Sequence, residues 1–259
     1  MDRSLSAAVS RSADIFSEQI RRAPKARAVP QQAPANVPMR NYRVSYLSTD
    51  GSLIENTMRA RQHPTFEDAF AALSHGAIVQ TRRGVMSVED VLPGDDLRLA
   101  DGTFDTLLWR GSISLQPDAS KQRHLTRITA DAMGFNRPAP DLVLGPSARI
   151  LHRASGVRRL TGCDAAFVPA SDFIDGNHVL SLAPNAPLNV YQLGFKQQRC
   201  LSVNGIEIET LHPGTAFALG LRGDVLNEYM TLFPHKSSLE AFGLMEHPRL
   251  RLRDLELLG

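Results

Sequence analysis

Polar and apolar residues alternate through most of the middle of this chain, and that period predicts strands. The run "YRVSYLSTDGSLIENTMRA" alternates on both sides of Asp50-Gly51. It predicts strands at 42–48 and 52–59, joined by a two-residue turn whose positive φ values suit Asp-Gly. In "HPTFEDAFAAL" the period changes. Phe66, Ala69, Phe70 and Leu73 fall on one face, Thr65 stands where a cap belongs and Asp68 lies three residues later. This is a helix of about eight residues ending before Gly76.

Alternation then returns. Ala77–Thr81 reads as a strand, "SVEDV" as one helical turn capped by Ser87, and Pro93-Gly94 as a type II turn. A second Asp-Gly hairpin joins strands at 96–100 and 103–110, and Trp109 is placed on the core. Further strands are predicted at 124–129, 141–145, 148–152, 177–182, 188–195, 199–203 and 206–210, the last two around Asn204-Gly205. "TADAMG" is a helical turn closed by Gly134. No helices alternate with these strands, so a doubly wound fold is disfavoured and an all-β core expected.

Beyond residue 214 the chain turns helical. Leu226, Tyr229, Met230 and Phe233 share a face after Asp224 as cap, and "SSLEAFG" is a short helix. The alternating "PRLRLRDLELL" suits an edge strand or a segment laid across the core. At the other end, residues 23–39 hold four prolines, which makes an extended linker. Residues 1–40 carry seven Lys/Arg against three Asp/Glu, a basic arm expected to be disordered. The expected divisions are therefore this arm, a hairpin and helix over 41–71, a β domain over 72–214 and a helical tail over 215–259.

Composition changes the picture little. A net charge of +2 over 259 residues does not point to nucleic acid. No apolar run approaches the ~20 residues a membrane helix needs, and the N-terminus lacks a secretory apolar stretch. The two cysteines, Cys163 and Cys200, have no metal-ligand spacing and read as free thiols, which fits the cytoplasm. No cofactor or metal is expected.

Three segments carry a family resemblance. "GAIVQTRRGVMSVEDVLPGDDLRLADG" (76–102), "FVPASDFIDGNHV" (167–179) and "VNGIEIETLHPG" (203–214) stand in order along the chain. They resemble the bacterial stand-alone branch of the Hint domains, the module shared by Hedgehog proteins and inteins. The resemblance implies a mainly β, antiparallel disk with pseudo-twofold symmetry, decorated by short helices before and after it. It also implies self-cleavage: a Cys or Ser attacks the preceding carbonyl, converting an amide to a (thio)ester with help from a histidine.

The residues that match the reactive positions depart from that pattern. Four residues before Gly76, where the family has its nucleophile, stands Ala72. "GPSARILH" places Ala148 at the histidine position. A later Asp-Arg-His matches Lys196, Gln197 and Gln198. The resemblance thus implies a degenerate member that has lost self-cleavage and serves as a non-catalytic binding or scaffold module. Its unknown protein partner would be met through the N-terminal arm or the C-terminal helices.

The alternative is an acyl shift at Ser74, beside His75, or at Cys163. Against the first, neighbouring residues in a strand point to opposite faces. His152 lies four residues past Ala148, roughly 13 Å along a strand. His212 and Cys200 read as structural, and the doublets Arg82-Arg83 and Arg158-Arg159 as solvated turn and strand-end residues.

Overall fold

The computed structural model describes residues 37–117 and 123–256. The arm expected over 1–40 lies outside them up to residue 36. Sixteen strands among the described residues form two eight-stranded sheets, and every ladder is antiparallel.

The first sheet holds β1 (Met39–Leu47), β2 (Leu53–Arg61), β3 (Leu73–Ser74), β8 (Trp109–Leu115), β9 (Leu125–Ile128), β10 (Leu142–Leu144), β13 (Val179–Leu182) and β14 (Leu188–Gly194). Its order is β13-β9-β10-β3-β14-β8-β1-β2. The second holds β4 (Ile78–Thr81), β5 (Gly84–Ser87), β6 (Asp96–Arg98), β7 (Phe104–Thr106), β11 (Arg149–His152), β12 (Ala166–Pro169), β15 (Cys200–Val203) and β16 (Ile206–Glu209). It runs β12-β11-β16-β15-β4-β6-β7, with β5 beside β4.

The chain passes repeatedly from one sheet to the other, and the apolar faces of both meet. Leu73, Ile128, Leu142, Leu144 and Tyr191 come from the first sheet, Val79, Leu97, Ile150, Val203, Ile206 and Ile208 from the second, and all belong to one buried cluster. Burial of a side chain of this size contributes about 1.5–3 kcal/mol, which makes this cluster a principal source of stability.

A second cluster gathers aromatic rings. Phe66 and Phe70, on and just after α1 (Pro64–Asp68), meet Tyr42 of β1, Trp109 of β8, and Tyr229 and Phe233 on and after α4 (Gly223–Thr231). Ring centroids lie 4.9 Å apart for Tyr42–Phe70, 5.2 Å for Phe70–Trp109 and 5.3 Å for Trp109–Phe233, all tilted or edge-on. Such geometry sets the positive ring edge against a negative face. Trp109 is fully buried, and its indole N–H donates to the Leu232 carbonyl at 3.0 Å. From Pro38 onward the chain is one compact unit.

Several local expectations are corrected. Five residues, Ser48–Ser52, separate the last pair of the first hairpin, Leu47↔Leu53. Asp50 Oδ1 accepts the Ser52 N–H, and of the two central residues only Gly51 has positive φ, so the two-residue turn is not adopted. Helix α1 has five residues, because Leu73 and Ser74 are drawn into the sheet. His63, not Thr65, caps it, through a Thr65 N–H to Nδ1 bond of 3.2 Å. Asp224 does not cap α4, whose N-cap, Arg222, makes no side-chain bond.

After strand 148–152, where the sequence predicts no element before residue 177, the chain forms α2 (Ser155–Thr161) and then β12. Arg158 and Arg159 therefore sit in the last helical turn. All of Ala166–Pro169 is buried, so no alternation marks the strand. The carboxyl end combines both expectations and adds a helix. Pro248 O accepts from Phe167 N at 2.8 Å and Leu250 N donates to Phe167 O at 3.0 Å, an edge pairing. Then α5 (Leu252–Glu256) places Leu255 against Val157 and Ala166. Arg82 and Arg83, in the β4–β5 turn, pair with Asp96 and Asp95. The Pro93-Gly94 turn is as expected: Asp95 N donates to Leu92 O, and Gly94 has φ +104°.

His235 yields a stability prediction. Its ring stacks on Trp109 at 5.8 Å, and its buried nitrogens have no hydrogen-bond partner. Burial, with Lys236 adding to it, pushes its pKa from 6.5 down to about 3. Below pH 6.5 the unfolded chain takes a proton that the folded chain refuses. Stability from this residue is therefore complete above that pH and falls below it, by up to about 1.4 kcal/mol per pH unit. Urea midpoints between pH 7.5 and 4.5 should fall less steeply for His235→Phe than for the natural protein. Equal slopes would remove His235 as the cause.

Candidate functional site

The peptide between Ala71 and Ala72 enters β3 with its polar groups already paired. Ala72 N donates to Tyr191 O at 3.1 Å, and Ala72 O accepts from Gly145 N at 2.8 Å. The Ala71 carbonyl accepts from Ser147 N at 3.1 Å. Ser147 lies in the turn between β10 and β11, which Ala148 N closes by donating to Gly145 O at 3.2 Å. This turn comes close because it begins with glycine: a Cβ on Gly145 would stand 2.1 Å from Ala71 O. The segments of Ala72 and Ala148 are thus brought together. The two methyl groups are 1% and 2% exposed and belong to the same apolar cluster.

Gln198 is placed differently. It is buried, its amide nitrogen donates to Glu209 Oε1, and its amide oxygen accepts from Glu246 N at 2.7 Å. Glu209, only 4% exposed in its side chain, also accepts from Arg249 Nε at 2.8 Å. Arg149 Nη1 approaches its other oxygen to 3.6 Å. Arg249 donates in turn to the His212 carbonyl at 2.6 Å. Burying a carboxylate is costly unless it is paired and hydrogen-bonded, and Gln198 and Arg249 supply those bonds. The bonds of Gln198 run to it and to Glu246, not to the Ala71–Ala72 peptide.

Ser74 is buried in β3, and its hydroxyl donates to the His75 carbonyl at 3.4 Å. The His75 imidazole is turned to Glu89, with Nδ1 3.4 Å from Oε1, and is mostly exposed. The serine and histidine are adjacent but not paired. His152 ends β11 with its ring 5.4 Å from Phe173, edge-on, and burial lowers its pKa. Cys163 is exposed just after α2, and Cys200 is buried in β15, where burial raises its thiol pKa. His212 holds a turn: Nδ1 accepts from Gly214 N at 3.0 Å and Nε2 bonds Gly243 O at 3.1 Å. Those two bonds specify the neutral Nε2–H tautomer.

The family model of the Hint domain matches residues 71–215, more than half of the chain. The chain belongs to the Hint domain family. Comparison with curated proteins and with solved structures finds no match. The matched span starts one residue before Ala72, the residue that the resemblance matches to the Hint nucleophile. In this Hint domain the side chain there is a methyl group, which has no lone pair to attack with. No group of three or more His, Cys, Asp or Glu among the described residues is arranged to hold a metal ion, and no described helix is long and apolar enough to cross a membrane.

The resemblance pointed to Ala72, Ala148 and Gln198 but not to the residues that surround them. Ser147 was passed over inside "GPSARILH", although it is the residue whose N–H reaches the Ala71 carbonyl. Arg149, Glu209 and Arg249 carried no local signal, since they converge from β11, β16 and the carboxyl end.

The glycine contact can be tested. Gly145→Ala drives a methyl group into backbone that cannot yield, and should cost at least the ~1–3 kcal/mol of ordinary overpacking. Gly156→Ala, in helix α2 with its nearest contact at 3.6 Å, should leave the urea midpoint unchanged or raise it. Similar midpoints for the two variants would refute the close approach.

Proposed function

We propose that this Hint-domain protein is a degenerate member resembling the bacterial stand-alone branch, that it does not sever its own backbone, and that it acts as a non-catalytic binding or scaffold module. One observation carries the reading. At Ala72, which the resemblance matches to the nucleophile, the side chain is a buried methyl group, and the N–H and carbonyl of the Ala71–Ala72 peptide are both held by backbone partners. General acid–base assistance contributes roughly 10²–10⁴-fold and cannot replace a missing nucleophile. Ala148, where a histidine would polarise the bond, supports the same conclusion.

For the alternative, self-processing at Ser74 or Cys163, neither side chain hydrogen-bonds an imidazole among the described residues. The Ser74 hydroxyl bonds a carbonyl, and the thiol of Cys163 is 3.9 Å from the Thr161 carbonyl. The segments proposed to meet a protein partner are the N-terminal arm and the helices after residue 215. Phe217, on α3 (Ala216–Leu219), is 93% exposed, which supports the second of these. The compartment proposed is the cytoplasm.

Intact mass tests the reading. The purified protein, incubated with hydroxylamine or dithiothreitol, should stay at 28.4 kDa. A fragment beginning at Ser74 and abolished by Ser74→Ala would establish self-cleavage instead, as would one lost in Cys163→Ala.

A further inference from the structure

A cleft of about 420 Å³ lies on the side of Ser147 and Arg149, walled also by Ser171, Glu209, Arg249 and Arg251. That volume is in the range of small-molecule sites. Its charges are unevenly matched. Asp68, also in the wall, is bonded by Arg123 at 2.9 Å. Arg251 pairs with Asp172 at 2.7 Å. Arg249 takes Glu209 at 2.8 Å. Arg149 is left with the second oxygen of that same Glu209, at 3.6 Å, and its guanidinium makes no hydrogen bond among the described residues.

Two guanidinium groups thus share one carboxylate, and a positive charge is in surplus. Burial, and the charge of Arg249, hold the Arg149 pKa below the usual guanidinium range, yet an arginine remains protonated at neutral pH. A partly desolvated cation without a full partner gains when an anion arrives. The planar fork of a guanidinium fits two oxygens of a carboxylate or a phosphate. Beside it, the Ser147 hydroxyl is buried with no partner among the described residues, although buried hydroxyls are usually bonded.

We propose that this cleft binds a small ligand bearing an oxyanion, a carboxylate or a phosphate, with Arg149 as the anchor and Ser147 as a second donor. Such binding is compatible with either fate of the backbone at Ala72, so its failure and the appearance of self-cleavage are separate results.

The full-length chain is labelled with nitrogen-15 and titrated with inorganic phosphate or with acetate, at ionic strength held constant by sodium chloride. The Arg149 side-chain Nε–H resonance should move saturably with at least one anion, and the preferred anion distinguishes the two sources. Arg149→Gln should abolish saturation in thermal-shift titrations, and Arg149→Lys, which keeps the charge without the fork, should weaken it roughly tenfold. Ser147→Ala removes an unpaired group, should fold normally, and should weaken binding roughly threefold to tenfold. Arg153→Gln, whose arginine pairs with Glu207 outside this cleft, should bind as the natural protein does. The absence of a saturable shift with either anion overturns the proposal, as does undiminished binding by Arg149→Gln. The wild-type titration decides the matter even if that variant does not fold. Unchanged affinity in Ser147→Ala overturns the second-donor assignment.

Discussion

Gly145 has no side chain, and the Ala71 carbonyl occupies the space where one would stand. From that contact much of the central architecture follows. Leu73 is held opposite Leu144 on one side and Tyr191 on the other, so a two-residue strand sits in the middle of an eight-stranded sheet. The same turn sends the chain from β10 in the first sheet to β11 in the second. A bulkier residue there would separate β3 from β10 and leave the N–H of Gly145 and the carbonyls of Ala71 and Ala72 looking for partners inside an apolar core.

The parts of the chain outside the matched span are joined to it by aromatic packing as well as by ion pairs such as Arg249–Glu209 and Arg251–Asp172. Tyr42, Phe66, Phe70, Trp109, Tyr229, Phe233 and Phe242 form one cluster, drawn from both sides of residues 71–215. β1 also pairs directly with β8, so the first hairpin continues the sheet of the Hint domain. Trp109 faces this cluster, and its single polar atom is satisfied by the Leu232 carbonyl at the end of α4. That bond lets a group of large aromatic residues pack without leaving a buried donor unpaired. His235 stacks on the same indole and has no such partner, which is why protonation is costly there.

Much of the fold was legible because half-buried antiparallel strands alternate. The Asp50-Gly51 and Asn204-Gly205 hairpins and the strand from Leu188 were read close to their observed limits, whereas the single strand expected over 103–110 is divided between β7 in the second sheet and β8 in the first. What escaped was structure whose cause is not local. Ala166–Pro169 is buried throughout and shows no period, and α2 has no side-chain cap to announce it. The leucines near the carboxyl end alternate like a strand, yet Arg251 and Leu252 are held by the two oxygens of Asp172, which starts a helix. At the candidate site, Ala72, Ala148 and Gln198 were named only through the resemblance. The cleft beside them depends on Arg149, Glu209 and Arg249, which lie far apart in sequence and meet only when both sheets are in place.

The three positions that the resemblance matches to reactive residues are put to two physical ends. Residues 72 and 148 are methyl groups within the apolar cluster between the sheets. A thiol there would bury a weakly polar atom, and an imidazole would bring two nitrogens that need partners, at a cost of roughly 1–3 kcal/mol for each left unpaired. Residue 198 is instead amide, and its two ends match what surrounds it: the nitrogen donates to a carboxylate, the oxygen accepts a backbone N–H. A neutral imidazole at that point could also donate from one nitrogen and accept at the other, but with a different spacing between the two. At all three positions, packing and hydrogen bonding account for the side chains present. The peptide bond between Ala71 and Ala72 is then an ordinary backbone-paired unit, its N–H donating to the Tyr191 carbonyl on one side and its carbonyl accepting from the Ser147 N–H on the other.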